Sequence, residues 1–153
     1  MADLVKLKKL RSDTGISFSL CKKALEESQD NIEKAKKLLN QWGIEKAEDK
    51  KKRETSQGAI FSYVHHNHKV ASLIELLCET DFVADNKDFQ ALGQEIAMQA
   101  ASMPADNLDQ LIEQEYIRDP SKKIGDLIQE AVMKFGENIK INRYNRWVLG
   151  IDH

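Results

Sequence analysis

Residues 60–77 read IFSYVHHNHKVASLIELL, two runs of aromatic, β-branched and other apolar residues separated by the polar segment His66-Asn67-His68-Lys69. Val, Ile, Tyr and Phe suit a pleated, half-buried surface. An Asn-containing turn between two such runs predicts a β-hairpin, residues 60–64 against 70–77. The second run is apolar almost throughout and is expected to be the more deeply buried strand. Next comes Cys78-Glu79-Thr80-Asp81-Phe82-Val83-Ala84-Asp85-Asn86, which follows neither strand nor helix period. Asn86 suits the cap of a helix on which Phe89, Leu92, Ile96, Ala97 and Ala100 share a face. Residues 80–84 are therefore expected to form a short connection leading out of the sheet. Phe82 in that connection has two readings: folded back onto the core like most aromatics, or displayed beside Asp81 as an interface anchor. Spacing leaves both open.

Downstream, residues 107–114 suit a brief helix, and Pro120 stops a loop. Ile124, Leu127, Ile128, Ala131, Val132 and Phe135 form an amphipathic stripe that Gly136 closes. Residues 139–149 then alternate as a strand with Ile139, Ile141, Trp147 and Leu149 on one side. The expected product is an α+β core, a three-stranded antiparallel sheet with helices packed on one face, over residues 58–153.

Upstream the period is helical. Leu4, Leu7 and Leu10 predict a first helix ending near Arg11, where Ser12-Asp13-Thr14-Gly15 interrupts the pattern. Ser17 suits the cap of a second helix with Phe18, Cys21, Ala24 and Leu25 on one side. Asp30, with Glu33 three positions on, suits the start of a third, whose stripe runs Ile32, Ala35, Leu38, Leu39, Trp42 and whose stop is Gly43. Residues 1–45 thus read as a three-helix domain with a small core. Residues 46–57, nearly devoid of apolar side chains, read as an exposed linker or a frayed helical extension. The run Lys50-Lys51-Lys52-Arg53 is short and flanked by acids, and reads as solvated.

Composition bounds the function classes. The 153 residues include two Cys and two Pro, too few for a disulfide scaffold or a Pro-rich disordered chain. No apolar run nears the ~20 residues that cross a bilayer. The start, Met1-Ala2-Asp3-Leu4-Val5-Lys6, lacks the pattern of a secretory leader, so a cytoplasmic location with both thiols reduced is expected. Net charge is −2, but residues 1–56 carry 14 Lys/Arg against 10 Asp/Glu and the remainder 9 against 15. This asymmetry suits two modules with separate surfaces. No helix of the N-terminal module presents the Arg, Asn and Gln cluster that reads base edges, and Arg143 and Arg146 on an acidic module are a weak phosphate footprint. His65, His66, His68 and Cys78 invite a zinc site, yet Cys78 lies at the far end of its strand, ~30 Å from the histidines at ~3.3 Å per residue, and no metal is expected.

Two local motifs carry a family resemblance. Thr14-Gly15, Cys21-Lys22-Lys23-Ala24-Leu25-Glu26, Asp30 and the Trp42 stripe resemble the ubiquitin-associated-like N-terminal domain of bacterial translation elongation factor Ts. Thr80-Asp81-Phe82-Val83-Ala84, with Cys78-Glu79 before it and Asn86 after, resembles that family's TDFVA-x-N signature. Gly58, Tyr63, His65, Lys69-Val70, Ile96-Ala97-Met98, Leu111-Ile112-Glu113-Gln114, Gly136-Glu137-Asn138-Ile139 and Arg143-Tyr144 extend the resemblance over nearly the whole chain. The chain departs from the pattern at Asn67-His68 and Ala71, where glycines are usual. It departs again at Asp85 for Arg or Lys, Asn142 for Arg and Glu115 for Pro, and in a short 99–116 segment.

The resemblance implies a guanine-nucleotide exchange factor rather than an enzyme, without cofactor, membrane or direct nucleic-acid partner. Its partner would be elongation factor Tu, GDP-bound and nucleotide-free. Thr80, Asp81, Phe82 and Val83 would intrude near the partner's switch region and disturb its Mg²⁺, while Arg11 and Phe18 would grip from the N-terminal domain. A single core copy implies a monomer or a homodimer paired through an exposed sheet edge. The competing classes are a protein-interaction adaptor without exchange activity and a zinc hydrolase built on His65, His66, His68 and Glu79.

Overall fold

A computed structural model describes residues 3–151, except for the side chains of residues 46–49. The chain divides into two compact units: Met1–Lys52 with Gln129–Gly136, and Arg53–Ile128 with Glu137–His153. Helix α7, Ile124–Phe135, therefore contributes to both.

In the first unit, α1 spans Leu4–Thr14, α2 Phe18–Glu27 and α3 Ile32–Lys50. Asp3 opens α1, its carboxylate accepting from the N–H groups of Val5 at 2.8 Å and Lys6 at 3.3 Å. The helix does not end near Arg11. The Thr14 hydroxyl donates back to the Leu10 carbonyl at 2.8 Å, which keeps the last turn wound. The stop is Gly15, at φ 69°, whose N–H closes on the Arg11 carbonyl. Ser17 caps α2 as its position suggests. The cap of α3 is Asn31 rather than Asp30: Asn31 accepts from Lys34 N at 3.0 Å, while Asp30 is occupied by Asp3 N at 3.0 Å.

Gly43 is not a stop, and α3 runs on to Lys50. A Cβ at Gly43 would lie 2.9 Å from Met133 Sδ on α7, so the glycine serves close approach of two helices within the unit. Leu7, Leu10, Ile16, Cys21, Ala24, Leu25, Ala35, Leu39 and Met133 form the core. Phe18, on the helical side shared with Cys21 and also expected to grip a partner, is 47% exposed.

In the second unit, β1 (Gln57–Val64), β2 (Val70–Cys78) and β5 (Lys140–Val148) form an antiparallel sheet in the order β1-β2-β5. The apolar β2 is the central strand, as its composition requires, and pairs Phe61 with Ile74 on one side and Ser72 with Arg146 on the other. The hairpin turn closes with His68 N donating to the His65 carbonyl at 2.8 Å. His68 itself adopts φ 60°, a left-handed conformation that glycine takes more cheaply. Among the described residues no strand pairs along the outer edges of β1 or β5.

The chain continues as α4 (Asp81–Ala84), α5 (Lys87–Ser102), α6 (Leu108–Glu113), β3 (Glu115–Tyr116) and β4 (Asp119–Lys123). Phe89, Ile96, Ala97 and Ala100 of α5 are buried, as are Phe61, Ile74 and Leu76 of the sheet it packs on. The Ser72 hydroxyl donates to the Ala97 carbonyl at 2.5 Å, joining strand to helix in the core. Pro120, expected in a loop, lies in β4. That strand belongs to a two-stranded ribbon, where a missing donor is tolerated. Buried Gln99 holds the ribbon down: its amide donates to the Glu115 carbonyl at 3.1 Å, and its oxygen accepts from Ile117 N at 3.0 Å.

The outer strand departs from simple alternation. Glu75 pairs with Arg143 but Leu76 with Ile141, leaving Asn142 as an extra residue, a β-bulge. One extra residue exchanges the two faces of a strand. Ile139 and Ile141 are therefore buried, whereas Trp147, expected on the same side, is 73% exposed. Glu75 supports the bulge, accepting from Asn142 Nδ2 at 2.5 Å and pairing with Arg143 at 3.3 Å.

Candidate functional site

The link between sheet and helix is a single helical turn, α4, with Thr80 as its cap. Thr80 is extended (φ −124°, ψ 157°), and its hydroxyl accepts from Val83 N at 3.4 Å. Its carbonyl accepts from Ala84 N at 3.2 Å, and the Asp81 carbonyl accepts from Asp85 N at 2.9 Å. A second cap follows at once: Asn86 accepts from Asp88 N at 2.8 Å and starts α5. The two caps bracket the turn closely, joining it to β2 before it and to α5 after it.

One helical turn has two sides. Val83 and Ala84 face the core and are buried, which leaves Asp81 and Phe82 on the outer side. Phe82 is 86% exposed, the most exposed of the large apolar side chains described. The ring is thus displayed to water on a capped, buried-backed turn and is not folded back onto the core. Of the four sequence-designated residues, Asp81 and Phe82 are thus presented to solvent. Val83 seats the turn and Thr80 caps it.

Glu137 belongs to the Gly136-Glu137-Asn138-Ile139 motif, to which the sequence alone assigns no role. Its Oε1 accepts from Glu79 N at 3.1 Å and from Thr80 N at 3.0 Å, and its Oε2 accepts from the Thr80 hydroxyl at 2.6 Å. Glu79 reciprocates, its Oε2 accepting from Asn138 N at 2.6 Å and pairing with Arg53 at 3.6 Å. Asn138 Nδ2 in turn donates to the Arg53 carbonyl at 3.0 Å. Partners nearly sixty residues apart leave no local sequence signal.

Below the turn, Cys78 is fully buried, and its thiol donates to the Thr80 carbonyl at 3.2 Å. Burial pushes this thiol up to about 11 from its usual 9.0, with the Glu137 carboxylate adding to the rise. The fold therefore favours the protonated thiol. Its contribution to stability is complete below pH 9 and is lost as pH rises through about 11. Between those limits the wild-type chain should lose about 2 kcal/mol more stability than Cys78→Ala, somewhat less than two pH units at about 1.4 kcal/mol each because each limit is a half-titration point. Urea midpoints measured across that window check this.

In the first unit, Arg11 lies on the exposed side of α1 and Phe18 opens α2, both facing solvent. The histidines stand at the hairpin turn, with the Tyr63 hydroxyl 3.2 Å from His65 Nδ1 and the rings of His65 and His66 4.1 Å apart. Among the described residues no group of three or more His, Cys, Asp or Glu is arranged to hold a metal ion. None of the described helices is long and apolar enough to cross a membrane.

Comparison with known proteins places these features in one group. A family model described as elongation factor TS matches residues 79–150, beginning one residue before the Thr80 cap. Another, described as the N-terminal region of mitochondrial elongation factor Ts, matches residues 2–48. Elongation factor Ts of Coprothermobacter proteolyticus is 39% identical, with 94% of this chain and 96% of the relative covered. The Leptospira biflexa protein of the same name gives the same figures. Elongation factor Ts of Aquifex aeolicus is 42% identical over 92% of this chain but only 50% of its own length. The first alignment runs over 189 positions against 153 residues here, so that relative carries segments this chain lacks. With both the helical unit and the Thr80–Phe82 region matched, the chain belongs to the elongation factor Ts family.

Proposed function

We propose that this protein promotes release of GDP from elongation factor Tu, with Asp81 and Phe82 as the residues that reach the nucleotide site. The observation carrying this reading is Phe82, 86% exposed on a turn whose other side is buried. An exposed aromatic on a rigid mount loses little conformational entropy when it enters a partner's pocket. Exchange then follows from reciprocity. If the chain binds the nucleotide-free partner more tightly than the GDP-bound one, its binding weakens GDP by the same factor. Phe82 would enter beside the switch region, and displacement of backbone there would spoil the near-octahedral shell that Mg²⁺ demands, loosening the phosphates it bridges. Asp81, exposed at the start of α4, would place a negative charge beside that ion's ligands.

The test is release of a fluorescent GDP from elongation factor Tu by stopped flow, with and without this chain. Acceleration that saturates with chain concentration supports the reading. Unchanged release with measurable binding makes the protein an adaptor instead.

Arg11 and Phe18 belong to the same proposal as a second grip. Both are solvent-facing and neither belongs to the core of its unit, so the paired substitution Arg11→Ala, Phe18→Ala should leave the helices intact. It should weaken binding to elongation factor Tu by about tenfold, since truncating an interface residue that matters costs more than ~1 kcal/mol. Titration calorimetry reads the affinity, and an unchanged value removes these two residues from the interface.

A further inference from the structure

A single turn of helix is a poor mount by itself. Four residues make few internal hydrogen bonds, and isolated helices this short do not persist in water. Here the turn is held from outside by one side chain. Glu137 gathers three donors from residues 79 and 80, and in doing so it decides which way the Thr80 hydroxyl points. With its proton directed to Glu137, that hydroxyl presents lone pairs to Val83 N, the hydrogen bond that caps α4. The chain of contacts thus runs from Glu137 through Thr80 to the turn that carries Phe82. The reverse contact, Glu79 onto Asn138 N, with Arg53 pairing to Glu79, keeps the 137–138 segment from moving independently.

Charge-assisted hydrogen bonds are roughly twice as strong as neutral ones, and two backbone N–H groups on one carboxylate oxygen fix direction as well as distance. Val83 and Ala84 supply apolar seating, but such contacts are non-directional and would tolerate rotation of the turn. The direction in which the ring projects is left to the polar contacts, of which Glu137 makes three.

We propose that Glu137 is a positioning residue for Phe82, holding the α4 turn so that the ring projects in its binding orientation; this rests on the exchange-factor reading above. The test measures GDP release from elongation factor Tu over a range of chain concentrations, with Glu137→Ala and Glu137→Gln made in the wild-type and Phe82→Ala backgrounds. In the wild-type background Glu137→Ala should lower the saturating release rate by about tenfold. Once the ring is gone the same substitution should matter less than about twofold, the non-additivity expected of residues acting through one another. Glu137→Gln keeps an oxygen for the two N–H groups but offers Thr80 a donor in place of an acceptor, and should fall between wild type and Glu137→Ala.

A partner-free measurement accompanies the kinetics. Cys78 lies buried beneath the turn, so its alkylation, mapped by peptide mass spectrometry, reports opening there. Either substitution removes the Glu137 charge that helps keep the Cys78 thiol protonated, so the variants are compared with each other: Glu137→Ala should label Cys78 several-fold faster than Glu137→Gln and leave Cys21, buried in the other unit, unchanged. Faster labelling of both cysteines would mean general unfolding, and Glu137→Gln would then carry the comparison. Wild-type release by Glu137→Ala overturns the proposal, as does an equal loss in both Phe82 backgrounds. A wild-type chain that never accelerates release overturns the reading beneath it, a result distinguishable from either.

Discussion

Replacing Phe82 with Ala should reduce stimulated GDP release by roughly thirtyfold while leaving the fold in place. The magnitude comes from interface anchors: truncating a central aromatic costs about 2 kcal/mol or more, and each 1.4 kcal/mol is a factor of ten. The absence of a folding defect comes from exposure. A ring already 86% in water contributes little to the core, and surface substitutions of that kind usually stay within about 0.5 kcal/mol. Circular dichroism and the Cys78 labelling rate should match wild type, so the loss would lie at the interface. If Phe82→Ala releases GDP at the wild-type rate, the ring is not the intruding group. Phe82→Leu should retain part of the effect, because it keeps apolar bulk while losing the aromatic face.

The second large effect concerns the inner face of the sheet. A Cβ at Gly93, in the middle of α5, would lie 2.2 Å from Phe61 Cδ2, with further ring carbons almost as near. Two terms oppose each other in Gly93→Ala. Alanine improves helix propensity by about 1 kcal/mol, while overpacking a filled core costs about 1–3 kcal/mol. The clash should win, because Phe61 cannot simply swing away. It is itself buried and packs against Phe89 at a centroid distance of 6.2 Å. A net loss of up to about 2 kcal/mol is expected, read as faster native-state hydrogen exchange of the β2 amides. Gly93→Val should lose more, through its larger side chain. Combining Gly93→Ala with Phe61→Leu should recover part of the loss, since the leucine lacks the ring carbons that collide. A more stable Gly93→Ala protein would show that the ring relaxes freely.

The difference between legible and illegible positions follows the range of the interaction. Ser17 and Asn86 were readable as caps because the N–H groups they satisfy lie two or three residues away. Gly136 was readable for a similar reason, since a left-handed backbone at the end of α7 needs no distant partner. Gly43 looked like the same signal and was not, because its partner, Met133, lies ninety residues on in the chain. Phe18 has helical spacing shared with Cys21 yet faces solvent, the core being already filled by residues such as Ile16 and Leu25.

Trp147 shows the same limit in a strand. Period-two alternation predicts its face correctly only while the register holds, and the bulge at Asn142 is set by pairing with β2. The candidate site divides in the same way. Its location and its unusual period were visible in residues 78–86. That Phe82 points outward depended on Val83 and Ala84 finding a core to enter, and the fastening by Glu137 depended on the pairing that sets the end of β2 beside the start of β5.

From its own residues, then, this chain determined the order of its longer helices and strands though not the β3–β4 ribbon, the buried character of β2, and a short break carrying Thr80-Asp81-Phe82-Val83-Ala84. All of these rest on hydrogen bonds and apolar periods spanning a few residues. Tertiary structure alone decided which aromatics are displayed, which glycines exist to admit a neighbour, and which carboxylate holds the turn. Burial and hydrogen-bond satisfaction are properties of groups that meet in space, and Glu137 meets Thr80 only once the pairing of β2 with β5 has brought the end of one strand beside the start of the other.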